Sequence, residues 1–181
     1  MAELLIGCGN SRVKALQPAG PLEWTDLITL DIDPNSGANV EWDLERLPLP
    51  FPDERFDEIH AYHVLEHTGR QGDYRFFFAQ WSDFWRILKP GGFFCGIVPA
   101  PGSPWVFGDP GHTRFLPPEV FTFLDQTEYT KQVGVTPMAD YRHLYAADFE
   151  LLHAEVKPPS PDPSASLFFA LRAVKPSRVK R

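Results

Sequence analysis

The feature that most constrains this chain is the stretch Glu3-Leu4-Leu5-Ile6-Gly7-Cys8-Gly9-Asn10-Ser11-Arg12, an apolar run that breaks directly into a glycine turn. A buried parallel strand that stops on glycines and feeds the next segment leaves backbone N–H groups bare at its carboxyl end. Glycine suits that place because a side chain would keep the backbone from approaching a ligand lying across the strand end. The next apolar run, Ile28-Thr29-Leu30-Asp31-Ile32-Asp33, ends on an acid 22 positions after Gly9. That spacing suits a carboxylate that accepts from ribose hydroxyls.

Taken in order, Ser11 to Gln17 has room for only a short helix before Pro18, Gly20 and Pro21 end it. Leu27 to Ile32 is the second strand. Pro34-Asn35-Ser36-Gly37 reduces the following crossover to a loop, and Asn39 to Trp42 is a short third strand closed by Asp43. Pro48, Pro50 and Pro52 hold the next connection extended, and Phe56 to Tyr62 forms a fourth strand. Tyr74, Phe77, Phe78, Trp81, Phe84, Trp85 and Leu88 recur at three and four, the period of an amphipathic helix packed on a core. Asp73 is placed to cap that helix and Pro90-Gly91-Gly92 to stop it, before a fifth strand from Phe93 to Val98.

The alternation breaks from Ala100 to Phe115, a loop that carries Trp105, Phe107, Asp109, His112 and Arg114, more chemistry than a connector needs. Pro118 and Glu119 begin a short helix that reaches Leu124. Phe149 to Val156 and Ser166 to Val174 are two strands joined by a proline-rich link from Pro158 to Pro163, an antiparallel pair at one sheet edge.

Charge and composition narrow the classes of function. With 181 residues, 43% of them hydrophobic, the chain has enough material for one ample core. A net charge of -7 gives a nucleic-acid backbone little to bind. The basic residues Lys175, Arg178, Lys180 and Arg181 are expected to form a frayed, solvated tail. Cys8 and Cys95 lie in apolar contexts, as reduced cysteines of an intracellular protein do. No leading basic and apolar segment and no run of membrane-spanning length is present, so the expected compartment is the cytoplasm.

Five stretches, in order and spacing, resemble the class I S-adenosylmethionine-dependent methyltransferases: Ile6-Gly7-Cys8-Gly9-Asn10; Leu30 to Asp33; Asp43 followed by Leu47-Pro48-Leu49-Pro50-Phe51; Phe56-Asp57 with Val64-Leu65-Glu66-His67; and Ile87 to Phe93. The resemblance implies an α/β fold, a three-layer Rossmann-like sandwich with a seven-stranded, mainly parallel sheet, an antiparallel edge pair and few helices on one face. It implies S-adenosyl-L-methionine as cofactor, bound by Gly7, Cys8, Gly9 and Asn10 near its methionine portion. Asp31, beside Ile32, would accept both ribose hydroxyls; Asp43, beside Leu44, would accept from the adenine amino group; Tyr62 and His63 would lie near the sulfonium. Leu5 stands where the family often has an acid, and Ser11 where it has a third small residue.

Rival readings fit less well. A nicotinamide dinucleotide fingerprint needs a third glycine where Arg12 stands. His63-Val64-Leu65-Glu66-His67 spells the H-x-x-E-H of some zinc peptidases, but His63 sits at a strand end rather than on a helix with His67, so no metal is expected. Ala61-Tyr62-His63-Val64 stands where base-methylating DNA enzymes carry an acid or amide followed by prolines and an aromatic. What remains is methyl transfer, with oxygen of a small molecule or sugar as the expected acceptor, or a non-catalytic module of the same fold. A hydroxyl acceptor needs a base, and His67, His112 and His63 are the candidates. Asp109, His112 and Arg114, after the fifth strand, are the candidate acceptor-binding residues, in an insertion of about residues 100–145 within a single domain spanning residues 1–175. The alternative for that loop is an Asp109 to Arg114 ion pair that merely buttresses it.

Overall fold

The computed structural model describes residues 1–18, 22–158 and 164–179. Gly20 and Pro21, most of the proline-rich link and the terminal Lys180 and Arg181 lie outside the described residues. Seven strands form one sheet: β1 (Ala2–Ile6), β2 (Asp26–Asp31), β3 (Val40–Glu41), β4 (Phe56–Tyr62), β5 (Leu88–Pro99), β6 (Phe149–Lys157) and β7 (Ser166–Ala173). Their order is β3-β2-β1-β4-β5-β7-β6. The β1, β2, β3, β4 and β5 pairings are parallel, whereas β7 runs antiparallel to both β5 and β6. The sheet therefore reverses its winding between β1 and β4, the place where ligands lie across strand carboxyl ends in open α/β sheets.

One face is packed by α1 (Tyr74–Ile87). The three-and-four spacing of its aromatics turns Phe78, Trp81 and Phe84 onto Leu4, Ile6, Ile59, Ala61 and Phe94, all buried in one cluster. Trp81 is fully buried, its ring 4.8 Å from that of Phe94 and 5.7 Å from that of Phe149. Asp73 caps the helix, its carboxylate accepting from Phe76 N–H at 3.0 Å. The helix yields to β5 at Leu88, before the Pro90-Gly91-Gly92 that was expected to stop it, because Lys89 to Gly92 already run as strand. After the single turn α2 (Trp105–Gly108), the expected helix from Pro118 is a 3-10 segment, Pro118–Phe123. It leads into α3 (Gln126–Gln132), whose residues carry no apolar period that would reveal it.

Among the described residues from 1 to 41 the connections carry no α-helix, only the 3-10 turn Pro34–Ser36, and Ser11 to Gln17 is irregular, contrary to the expected short helix. The reason is a polar network that claims the segment. Lys14 Nζ reaches Glu3, and Glu58 at 2.9 Å, with all three side chains buried. Gln17 Nε2 donates to Glu58 at 2.9 Å, and the Ala15 and Leu16 N–H groups donate to the Tyr62 hydroxyl at 3.3 Å. Backbone donors bound to a side chain on the sheet are not available to a helical ladder.

The expected frayed C-terminal tail is corrected over its described part. Arg178 Nε donates to Asp148 at 2.7 Å and a second guanidinium nitrogen reaches Asp125 at 3.1 Å, while Lys175 Nζ donates to the Leu88 carbonyl at 2.6 Å. Asp148 is fully buried, so Arg178 supplies the cation that a buried carboxylate requires. Both cysteines are buried and unpaired, and no helix among the described residues is long and apolar enough to cross a membrane.

Candidate active site

The glycine turn at the end of β1 has the conformation its sequence requires. Gly7 has φ of +59°, and a Cβ placed there would meet Val64 Cγ2 at 2.2 Å. No side chain fits between this turn and the segment that leaves β4. Gly9, at φ of +47°, turns its N–H to Asp31, whose Oδ2 accepts at 2.7 Å; Asp31 Oδ1 accepts from Asp33 N–H at 2.9 Å. The carboxylate at the end of β2 is thereby fixed in place by one amide on each oxygen, with further lone pairs left on both.

These groups border a cavity of about 410 Å³ lined by Gly7, Gly9, Asp31, Asp43, Val64 and His67, among others. Ile32, largely exposed, and Leu44, buried, form apolar walls. Asp43 Oδ1 accepts from Glu45 N–H at 2.8 Å, a turn that keeps the carboxylate at the rim. Trp42, Glu45 and Thr68 also line the cavity and were missed in the sequence; Trp42 directly follows β3, and its spacing alone gave no sign of an inward role. Cys8 and Asn10 belong to the turn but do not line the cavity, and burial raises the Cys8 thiol.

Tyr62 and His63 are not brought to this cavity. Strand alternation puts Tyr62 on the other face of the sheet with Glu58 and His60, where its hydroxyl lies 2.7 Å from His60 Nδ1. Burial raises the phenol and lowers the imidazole, so both are neutral at pH 7. Tyr62 O–H then donates to His60 Nδ1, and His60 Nε2–H donates to Glu58 Oε2 at 2.9 Å. His63, at φ of +51°, swings out of β4 with its ring half exposed. Leu65–His67 follows as a single 3-10 turn, so His63 and His67 do not share a helix face and the peptidase geometry is not formed.

A second, more polar cavity of about 390 Å³ adjoins the first and is lined by His63, Glu66, His67, Trp105, Asp109 and His112, among others. The loop holding Asp109 and His112 is laid against the 3-10 turn by Thr113 N–H and Arg114 N–H, which both donate to the Glu66 carbonyl, at 2.9 and 3.3 Å. The rings of His67 and His112 meet edge to face at 4.6 Å between centroids. His67 lines both cavities.

Arg114 takes neither role foreseen for it. Its guanidinium is buried and donates to the Leu65 carbonyl at 2.8 Å, Thr68 Oγ1 at 2.9 Å and Gln80 Oε1 at 2.6 Å. It does not line the polar cavity, and Asp109 instead faces His112, Oδ2 to Nε2 3.8 Å. Burial pulls Arg114 down to about 10, leaving it protonated at pH 7. An arginine so engaged is a clamp that ties the 3-10 turn to α1.

The comparisons with known proteins agree with this geometry. The methyltransferase-domain family matches residues 4–96, just over half of the chain. No curated protein matches the sequence. Among solved structures, the N-methyltransferase NodS from Bradyrhizobium japonicum WM9 superposes with a TM-score of 0.58 at 15% identity, over 96% of this chain and 86% of that one. The same protein in complex with S-adenosyl-L-homocysteine gives 0.56 at 15% identity, over 95% and 77%. An S-adenosylmethionine-dependent methyltransferase from Archaeoglobus fulgidus gives 0.56 at 16% identity, over 94% and 85%. At such identities the likeness concerns the fold, and the family match carries the assignment: the chain belongs to the methyltransferase-domain family, within the class I S-adenosylmethionine-dependent methyltransferases.

Proposed function

We propose that the protein methylates an oxygen of a small molecule or sugar in the cytoplasm, with residues 100–145 forming the acceptor side of a single domain. The observation that carries this reading is the pair of adjoining cavities that share His67. The cofactor fits the first: a fixed carboxylate at the end of β2, a second acid at the rim and a glycine turn with no Cβ in the way. S-adenosylmethionine supplies a methyl group already activated on a sulfonium. Asp31 holds the ribose and Asp43 accepts from the adenine amino group. Val64 packs against Gly7. Protein groups have two tasks beyond binding: aligning the acceptor for in-line attack, and taking the acceptor's proton. His67 and His112, beside Asp109 in the second cavity, are the groups available for the proton. The polar lining there supports a hydroxylated acceptor.

Asp31→Ala removes a charged acceptor from two ribose hydroxyls, bonds worth about 1.5 to 3 kcal/mol each though not additive. Calorimetry with S-adenosyl-L-homocysteine is expected to show binding weakened at least about tenfold. Unchanged affinity in a folded variant would remove the ribose assignment. Asp43→Asn keeps the shape but not the charge, and is expected to change the preference between adenosine and inosine forms of that product. An unaltered preference counts against the adenine assignment.

A further inference from the structure

We infer that Glu66, His67 and His112 form a binding site for one divalent first-row transition-metal cation in the second cavity. One donor atom from each of the three lies within 4.8 Å of the others. Two of those side chains carry a buried polar atom with no partner among the described residues: Glu66 Oε2 and His112 Nδ1. Glu66 is 2% exposed, and the His112 side chain 7%. An unpartnered carboxylate oxygen and ring nitrogen in the same buried corner cost free energy unless something binds them.

The other polar atom of each side chain has a hydrogen-bond partner or, for His112, a carboxylate neighbour, and this leaves the remaining atom free for a cation. His67 Nδ1 lies 3.1 Å from the Gly111 carbonyl, which can only accept, so Nδ1 carries the proton and Nε2 keeps a lone pair. His112 Nε2 faces Asp109 Oδ2 at 3.8 Å, which favours the proton on Nε2 and leaves the lone pair on the orphaned Nδ1. Glu66 Oε1 faces His63 Nδ1 at 3.3 Å, leaving Oε2. A carbonyl partner behind a metal-binding imidazole, as at His67, fixes its tautomer and ring orientation. Two imidazoles and one carboxylate suit a transition cation rather than magnesium or calcium, which prefer oxygen throughout, and they leave coordination positions open.

The chain holds a second trio of similar composition, Glu3, Glu58 and His60, which shows what a filled site looks like. There Lys14 Nζ lies 2.9 Å from Glu58 and also contacts Glu3, so a cation of the protein's own occupies the position. No lysine or arginine among the described residues plays that part at Glu66: Arg114, nearby, spends its donors on Leu65, Thr68 and Gln80.

The role of the cation rests on the methyl-transfer reading. With the cation bound, His67 and His112 hold the metal in place of taking the proton, and an acceptor hydroxyl at an open position loses its proton to water more easily, as metal-bound hydroxyl and water do. The alkoxide oxygen then forms the bond to the methyl carbon while the carbon–sulfur bond breaks with its electron pair to sulfur, leaving S-adenosyl-L-homocysteine.

The test uses the full, untagged chain stripped with chelator and titrated with CoCl2 by calorimetry, with S-adenosyl-L-homocysteine titrated in parallel. One equivalent of cobalt is expected to bind. Glu66→Gln and His112→Ala are each expected to weaken it at least about tenfold, and His153→Ala, on an exposed edge strand, to leave it unchanged. Absence of binding to the wild type, or equal affinity in both site variants, overturns the site. Should the variants fail to fold, cobalt is expected to protect exposed His67 of the wild type from diethyl pyrocarbonate, read by peptide mass spectrometry, while His153 still reacts; equal labelling overturns the inference. Retained S-adenosyl-L-homocysteine binding without cobalt binding overturns this inference alone, whereas loss of the former counts against the methyltransferase reading.

Discussion

Lys14→Met is expected to destabilise the fold by about 3 to 5 kcal/mol at neutral pH, the usual cost of removing one partner from a buried ion cluster. Lys14 is the cation between Glu3 and Glu58, all three nearly without solvent contact. Methionine fills most of the volume, so the loss is electrostatic rather than a cavity effect. Burial alone would raise Glu58, but the hydrogen bonds from His60, Lys14 and Gln17 outweigh it and hold the carboxyl at about 2. A carboxyl whose folded value lies below its unfolded value of about 4.5 stabilises the fold at any pH above that value. The contribution is lost as pH falls through the range toward 2. In the variant Glu58 loses the lysine that helps hold its carboxyl down, and protonation there relieves the uncompensated charge in the folded state. The deficit should therefore shrink toward about pH 4. Urea denaturation of both proteins at pH 7 and in mild acid measures this. A deficit at neutral pH below about 1 kcal/mol, the range of a surface pair, would mean that the cluster is not the electrostatic unit its geometry indicates.

Arg114→Met is expected to cost about 3 kcal/mol of stability. The substitution keeps the apolar stem and strips three acceptors, Leu65 O, Thr68 Oγ1 and Gln80 Oε1, of their charged donor. The sum of three such bonds would be larger, but relief from burying the guanidinium, whose pKa burial lowers, offsets part of it. Cofactor affinity should follow stability only indirectly, through Thr68 at the cavity wall. A variant with wild-type thermal midpoint and impaired acceptor saturation would instead restore Arg114 to the acceptor site.

The sheet and its ligand-bearing end were legible because their signals are local. A strand that breaks on Gly7 and Gly9, a strand that ends on Asp31, and an aromatic stripe from Tyr74 to Leu88 each lie within a few turns of chain. What the sequence hid depends on partners far apart in it. Glu58, His60 and Tyr62 alternate as strand residues should, yet nothing in that alternation says that residues 14–17 will lie over them in place of a helix. Arg114 looks like a loop residue with chemistry to offer, and only the approach of Gln80 from α1 makes it a clamp. His67 and His112 meet because two backbone N–H groups reach the Glu66 carbonyl, a pairing with no residue-type signature. α3 was unforeseen since Gln126 to Gln132 has almost no apolar period, and its start is held by Asp125.

The register of β1 and β4 sets Glu3 beside Glu58. Two carboxylates side by side at a parallel seam repel each other unless Lys14 lies across them, so a seam closed without the segment that follows the glycine turn carries uncompensated charge. That segment consequently belongs to the sheet's assembly and is not a hinged lid. The opposite rim is held by less of the sheet: Ile32 is exposed there, and the chain from Trp42 to Glu45 is joined to β2 by a two-residue strand.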